Sequence, residues 1–480
     1  VSPTASWLAE HGHGASGLDS ALPNPLWSSR VARFEHPAVV SPERTLSYGE
    51  LATEVLQRAG SFHEMGITPG MIVALEQSHD LEWILRFHAL AWIGATVAPV
   101  PQGIVAVERT ALLIRIRPEF VVDGDTKLLP GTPPEERFWP LDEARVLICT
   151  SGTSGGATPV ALTTRQIVFN AFGSAIRLGL DHGDSWLCCL PFTHVGGLSI
   201  VLRSVLYGTT VVLHDGFDAE AVARSLDSGE ATLASLVPSM LARVLDAREE
   251  KPFPESLRAI LVGGAPLTDA LQKRCAALSA PIAVTWGMTE AASQVATRFP
   301  GDHKSMPGSA LPLSFVRVDA PDGRLRVRGP LVHGDLKTSD HGYVDERGQV
   351  FVEGRVDDMI ISGGKKIAPE EVEDVLKAHP EIEAAAVVAM PSREWGERPI
   401  AVLESTGARS RPSIEELRSW CDARLTRYKI PDDFAWCDAL PRTSLHKISR
   451  SAVRDALACA QKKNVPLNQK IQTIQMIQMR

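Results

Sequence analysis

Residues 149–158 of the chain read CTSGTSGGAT, a run of glycines and small hydroxylated residues that follows the apolar stretch Val146-Leu147-Ile148. A loop of this composition can wrap backbone N–H groups around a phosphate, with the hydroxyls of Thr150, Ser151 and Thr153 as further donors. It does not match the phosphate-binding loop that ends Gly-Lys-Ser/Thr. Where a lysine would be expected nearby, the chain has Thr158-Pro159-Val160. A cation for phosphate chemistry must therefore come from elsewhere. A second candidate group lies on a helix-like segment, where Leu198, Val201, Leu202, Val205 and Leu206 mark an apolar face and Ser199, Arg203 and Tyr207 a separate stripe at i, i+4 spacing. Arg203 can anchor a carboxylate through its planar fork of donors. From periodicity alone, a solvent-facing arginine on an amphipathic helix is slightly favoured.

The elements that must position these residues are legible as alternation. From about residue 70 to 290, MIVALEQ, TVAPVP, FVVDG, RVLICT, SWLCCLPF, TTVVLHD, ATLASLVP, LRAILVGG and PIAVTWG read as strands. Helical patterns such as Leu81–Trp92, Gln166–Leu178 and Ala219–Leu226 lie between several of them. This predicts an α/β fold with largely parallel sheets, whose ligands collect where strands run into turns at their carboxyl ends. Near residue 300 the pattern changes to residue-by-residue alternation with Asp-Gly and Arg-Gly turns, so 315–353 reads as hairpins. After GRVDD a compact α+β unit follows. Its helix APEEVEDVLKAHP has Pro369 and three glutamates near its start and Lys377 and His379 near its end, then come strands AAAVVAM and PIAVLES and the helix SIEELRSWCDARL. The expected organisation is a large domain over 1–354, a small mobile domain over 355–460, and a polar tail over 461–480.

Composition bounds the function. The 480 residues are 44% hydrophobic and 22% charged, with 49 basic against 57 acidic residues and a net charge of −8. An acidic balance argues against nucleic-acid binding. No apolar stretch approaches the roughly 20 residues of a membrane helix, and the amino terminus lacks the basic-then-apolar order of a secretory signal. Seven scattered cysteines without a CxxC pair fit free thiols in a reducing cytoplasm.

Five stretches together resemble the acyl-adenylate-forming superfamily of acyl-CoA ligases, luciferases and adenylation domains. They are TSGTSGGATPVALT (150–163), GGAPL (263–267), WGMTE (286–290), TSDHGY with GRVDDMIISGGKKIAPEEVE (338–373), and LPRTSLHKISR (440–450). Each is weak alone; their order over some 300 residues makes the resemblance specific. It implies ATP, Mg²⁺ and coenzyme A as reactants and cofactors, and it implies these residue roles. Thr150, Ser151, Gly152, Thr153 and Gly155 hold the outgoing phosphates, Thr289 contacts the α-phosphate, and Glu290 helps hold Mg²⁺. Gly264 and Ala265 line the adenine slot, with Trp286 as its aromatic wall and Gly287 as a further nucleotide contact. Asp340 takes the ribose hydroxyls, with Arg355 next to it, and Lys447 bridges phosphate and acyl oxygen. Asp357 is the hinge, and Gly363, Gly364 and Lys365 face the coenzyme A channel.

Bland alternatives remain for each. Asp340 before His341-Gly342 also suits an Asx turn, Glu290 the first turn of a helix, Trp286 a core position, and Lys447 a solvated basic run.

The stretch CLPFTHVGGLSIVLRSVLYGTTVVLHDGFD (189–218) is similar to the o-succinylbenzoate–CoA ligase subgroup of menaquinone synthesis. That likeness implies an aromatic dicarboxylate as the small-molecule partner, with Arg203 holding the carboxylate that is not activated. It places His194 and Gly287 at the acyl pocket. Aryl-CoA ligases acting on benzoate or anthranilate are the alternative, and they would not need Arg203. Two departures, Thr158 where the superfamily carries lysine and His446 where it carries glycine, leave open a member that transfers or binds acyl groups without ATP. A homodimer is left open.

Overall fold

The computed structural model of the chain describes residues 21–462 apart from 77–78, 105, 136–137, 151–157, 305, 320–321, 356–357, 363–364, 393–394, 408–410 and 443–447. Its framework is an eight-stranded sheet. From one edge the order is Ser293–Thr297, Ile282–Met288, Ala259–Val262, Leu233–Leu236, Ser185–Cys188, Thr210–Leu213, Pro37–Val40 and Thr45–Ser47. The six inner strands run parallel and the two edge strands antiparallel. Every residue of Leu233–Leu236, Ala259–Val262 and Thr210–Leu213 is buried. That is why these strands read as continuous apolar runs instead of alternating ones.

A second sheet of five strands is ordered Phe120–Val122, Ile72–Glu76, Thr96–Val100, Ala144–Thr150 and Thr158–Thr163; only the last is antiparallel. Helix Leu81–Ile93 belongs to the core that joins these layers. Asp80 caps it by accepting from the Trp83 N–H at 2.8 Å, and Gly94 ends it at φ 92°. Capping of this kind is worth about 1 kcal/mol. All its residues except Glu82 are buried, so its stability comes mainly from packing.

The hairpins expected over 315–353 form a four-stranded antiparallel sheet, Phe315–Asp319, Arg324–Arg328, Asp335–Val344 and Val350–Arg355. Beyond it, Lys365–Ile367, Ile360–Ser362, Gly396–Ser405, Ile382–Ser392 and Asp433–Cys437 make a separate sheet. Helices Pro369–Lys377 and Ile414–Asp422 share a core with that sheet, and Arg450–Lys462 packs on Ile382–Ser392. Among the described residues no helix is long and apolar enough to cross a membrane.

Candidate active site

Three of the sequence motifs sit at the carboxyl ends of parallel strands of the eight-stranded sheet, two of them on neighbouring strands. Ser185–Cys188 runs into Leu190–His194, Ala259–Val262 into Gly263-Gly264-Ala265, and Ile282–Met288 into a 3₁₀ turn, Thr289–Ala291. Val262 is in register with Val284, so the second and third exits lie side by side. Gly264 has φ 85°, a left-handed conformation that suits glycine, and Gly264 and Ala265 are exposed.

Trp286 is 8% exposed and packs in a core with Ala291, Val295 and Leu311. Its indole N–H reaches out of that core and donates to Asp340 Oδ2 at 2.8 Å. Asp340 is inside the strand Asp335–Val344, directly opposite Arg355, and its own N–H donates to Thr338 Oγ1 at 3.1 Å. It is therefore a strand residue and not the start of an Asx turn. Gly287 is imposed by space: a Cβ there would lie 1.9 Å from the Ser293 carbonyl oxygen.

The turn that carries Thr289 and Glu290 is tightly specified. Ala292 follows it at φ 55°, a left-handed alanine that costs about 1 kcal/mol and persists only where surrounding bonds fix it. Helix Thr164–Leu178 supplies those bonds. Gln166 Nε2 donates to the Glu290 carbonyl at 2.8 Å and the Leu331 carbonyl at 3.2 Å, while its Oε1 accepts from the Thr163 N–H at 3.1 Å in a capping box. Asn170 Nδ2 donates to the carbonyls of Ala291 (2.9 Å) and Gln294 (2.8 Å). The Glu290 carboxylate is half-buried and makes no ion pair among the described residues. As a hard oxygen donor it fits a magnesium ion whose remaining ligands are phosphate and water.

The strand Thr158–Thr163 packs against this turn. Thr150 pairs with Thr158, and its hydroxyl donates to the Thr158 carbonyl at 3.3 Å, closing the hairpin. Ser151, Gly152, Thr153 and Gly155 lie outside the described residues, as do Asp357, Gly363, Gly364 and Lys447. Thr158 itself is exposed.

Arg203 is 2% exposed. The stripe Ser199-Arg203-Tyr207 faces helix Thr164–Leu178, where the Tyr207 hydroxyl donates to the Ala171 carbonyl. The solvent-facing alternative thus fails, because helix Val195–Tyr207 is buried from Gly197 through Val205 and has no wet face there. Arg203 lines a narrow cleft together with Leu162, Ile167, Asn170, Leu198 and Ala292. The guanidinium lies over the Trp186 ring at 5.5 Å and donates to Asn170 Oδ1 at 2.6 Å. Burial pulls its pKa below the usual arginine value. His194 is the N-cap residue of the same helix, next to Val195 in the cleft wall.

The periodicity pointed to Arg203 but not to the residues that hold it. Gln166, Asn170 and Ser174, at i, i+4, i+8, are all buried, and so is Gln294. A polar stripe on a helix flanked by apolar residues was the available signal.

On the small C-terminal sheet, Lys365 Nζ lies 4.6 Å from the Tyr428 ring centroid. Arg450 joins Asp358 (3.1 Å), Glu370 (2.7 Å) and Glu373 (2.7 Å) in a half-buried cluster next to the segment that holds Asp357.

Comparisons with known proteins cover most of the chain. Residues 27–135 and 122–337 match the model of the AMP-binding enzyme family, and residues 371–447 match the AMP-binding enzyme C-terminal domain. A 2-succinylbenzoate–CoA ligase from Bacillus licheniformis is 33% identical over 478 residues, covering 89% of this chain and 99% of the relative. Its counterpart from Listeria monocytogenes serotype 4b is 33% identical over 467 residues, covering 89% and 98%. The structure of o-succinylbenzoate CoA synthetase (MenE) from Bacillus subtilis in complex with the acyl-adenylate intermediate OSB-AMP superimposes with a TM-score of 0.85 at 30% identity, covering 91% of this chain and 99% of that one. The complex of the same enzyme with ATP and magnesium ion gives 0.85 at 30%, covering 91% and 100%. With glycine-bearing turns and an acidic 3₁₀ turn at the carboxyl ends of its parallel strands, and with the family models matched across most of its length, this chain belongs to the AMP-binding enzyme family.

Proposed function

We propose that the chain is an ATP-dependent, AMP-forming acid–CoA ligase whose acid is 2-succinylbenzoate. The observation that carries the choice of acid is Arg203, a buried guanidinium in the wall of an otherwise largely apolar cleft, with no carboxylate partner among the described residues. A buried charge without a counter-ion is expensive. A second carboxylate on the substrate supplies that counter-ion, and a simple benzoate does not.

In the first half-reaction the substrate carboxylate attacks the α-phosphorus of ATP and pyrophosphate leaves. Adenine would lie between Gly264-Ala265 and the Trp286–Gly287 backbone, the ribose hydroxyls on Asp340 with Arg355 beside it, and the leaving phosphates on the loop from Thr150 to Gly155. Thr289 would donate to the α-phosphate and Glu290 would hold magnesium. When bound, that ion neutralises phosphate charge as the acyl–phosphate bond forms. Lys447 would bring its cation to the same oxygens. In the second half-reaction the coenzyme A thiol attacks the acyl carbonyl and AMP leaves. The unit expected from Arg355 onward would swing about Asp357 between the two steps and present Gly363, Gly364 and Lys365 to coenzyme A. A cytoplasmic setting is part of this reading; Cys149, Cys188, Cys189, Cys275, Cys421 and Cys437 are free thiols.

ATP–pyrophosphate exchange with a panel of acids tests it. Exchange with succinylbenzoate is expected. Exchange with benzoate or anthranilate alone would replace the acid, and no exchange with any acid would point to a binding or transfer protein.

A further inference from the structure

The bonds around Arg203 have a property beyond burial: both acceptors that hold the guanidinium are neutral amides. Asn170 Oδ1 takes one N–H at 2.6 Å. A guanidinium only donates, so the Gln294 amide must turn its oxygen toward it. That oxygen then accepts from both terminal nitrogens of Arg203 at 3.2 Å and from Ser174 Oγ at 2.9 Å, and the amide nitrogen donates to Thr297 Oγ1 at 2.7 Å.

Neither amide is free to rotate. Asn170 Nδ2 is committed to the carbonyls of Ala291 and Gln294. Gln294 is 0% exposed and Asn170 2%. An aspartate or glutamate would occupy the same volume at either position. A carboxylate, however, would neutralise the guanidinium and convert the cleft wall into an internal ion pair. The amides satisfy the N–H groups and fix the plane of the fork while leaving the net charge in place. Because Arg203 and Asn170 both line the cleft, that charge is available to a ligand.

We propose that Asn170 and Gln294 are specificity-determining positioning residues: a neutral cradle that orients Arg203 and reserves its charge for the non-reacting carboxylate of the substrate. This rests on the dicarboxylate reading above. Asn170 also bonds the Ala291 carbonyl, so the same amide ties the acid anchor to the turn that carries Glu290.

The test is Gln294→Glu. Its second carboxylate oxygen can accept from the Thr297 hydroxyl, so the packing survives and only the charge changes. The readout is the ratio of kcat/KM for succinylbenzoate to that for its analogue with the non-reacting carboxylate converted to an amide. The wild-type ratio is expected to be large, and Gln294→Glu is expected to lower it at least tenfold, through KM for the diacid. Gln294→Met, neutral and of similar length, should give a ratio between the two; if Gln294→Glu does not fold, a ratio below wild type in Gln294→Met still supports the cradle. A wild-type enzyme that exchanges with succinylbenzoate and prefers it over the amide, combined with unchanged ratios in both variants, overturns the cradle alone. Equal losses on both substrates also overturn it, because they mean a purely structural role. A wild-type enzyme that does not prefer the diacid overturns the dicarboxylate reading itself.

Discussion

The Trp286 indole N–H donates to Asp340 Oδ2 at 2.8 Å, joining the end of a parallel strand to the middle of an antiparallel one. The residue beside the proposed adenine slot and the carboxylate proposed for ribose are therefore one unit. Trp286→Phe keeps the ring in its core and removes the donor. Losing one hydrogen bond to a charged acceptor costs about 1.5 kcal/mol, so KM for ATP is expected to rise roughly tenfold with little change in kcat. An unchanged KM would separate Asp340 from nucleotide binding.

Arg203→Leu removes the cation from the cleft. KM for the dicarboxylate is expected to rise by at least roughly tenfold, the scale of a charge-assisted hydrogen bond, with a smaller change in KM for ATP. Steady-state kinetics with each substrate varied in turn would check this. Equal changes in both KM values would indicate general misfolding of the site.

Gln166→Glu preserves the acceptor that caps helix Thr164–Leu178 but places an oxygen against the carbonyls of Glu290 and Leu331. Leaving these buried groups without a donor costs about 2 kcal/mol. A lower melting temperature is expected, together with slower pyrophosphate exchange, because the turn holding Thr289 and Glu290 loses its clamp. A variant with unaltered exchange would show that the turn is held well enough by Asn170 alone.

Much of this was legible in the sequence, for physical reasons that also explain the rest. Strands such as Ala259–Val262 are buried on both faces, so composition alone marks them. The hairpins alternate because one face is wet. The burial of Arg203 was not legible, because its helix meets a polar stripe from another helix, and a stripe of Ser, Arg and Tyr looks the same whether it faces water or Asn170. Gln294 is likewise joined to Arg203 only by the fold. The segment with Lys447 lies outside the described residues.

Arg450→Met should destabilise the C-terminal unit by about 3 kcal/mol, since it leaves Glu370, Glu373 and Asp358 without their counter-ion. The loss should depend on pH. Burial already raises the Glu370 pKa above the usual 4.5, against the opposing pull of Arg450. Without Arg450 the folded-state value rises further, so the folded state binds more protons than the unfolded one and stability falls as pH rises from about 4.5 upward. Denaturant melts at pH 5 and pH 8 would check the sign; a larger loss at pH 5 would contradict it.

Thr158→Lys returns a cation to an exposed position at the end of the hairpin that starts at Thr150. A several-fold lower KM for ATP is expected, measured at low ionic strength where an exposed charge is least screened. No change would mean the loop's backbone donors already suffice.

The close approach of Gly287 to the Ser293 carbonyl bears on how this scaffold can be re-engineered for other acids. With 1.9 Å between a hypothetical Cβ and that oxygen, a combinatorial library that randomises position 287 would consist mostly of misfolded clones. Diversity is better placed at Leu162, Ile167 and Leu198, which line the cleft; because all three also belong to the main core, it should be confined to apolar residues of similar volume.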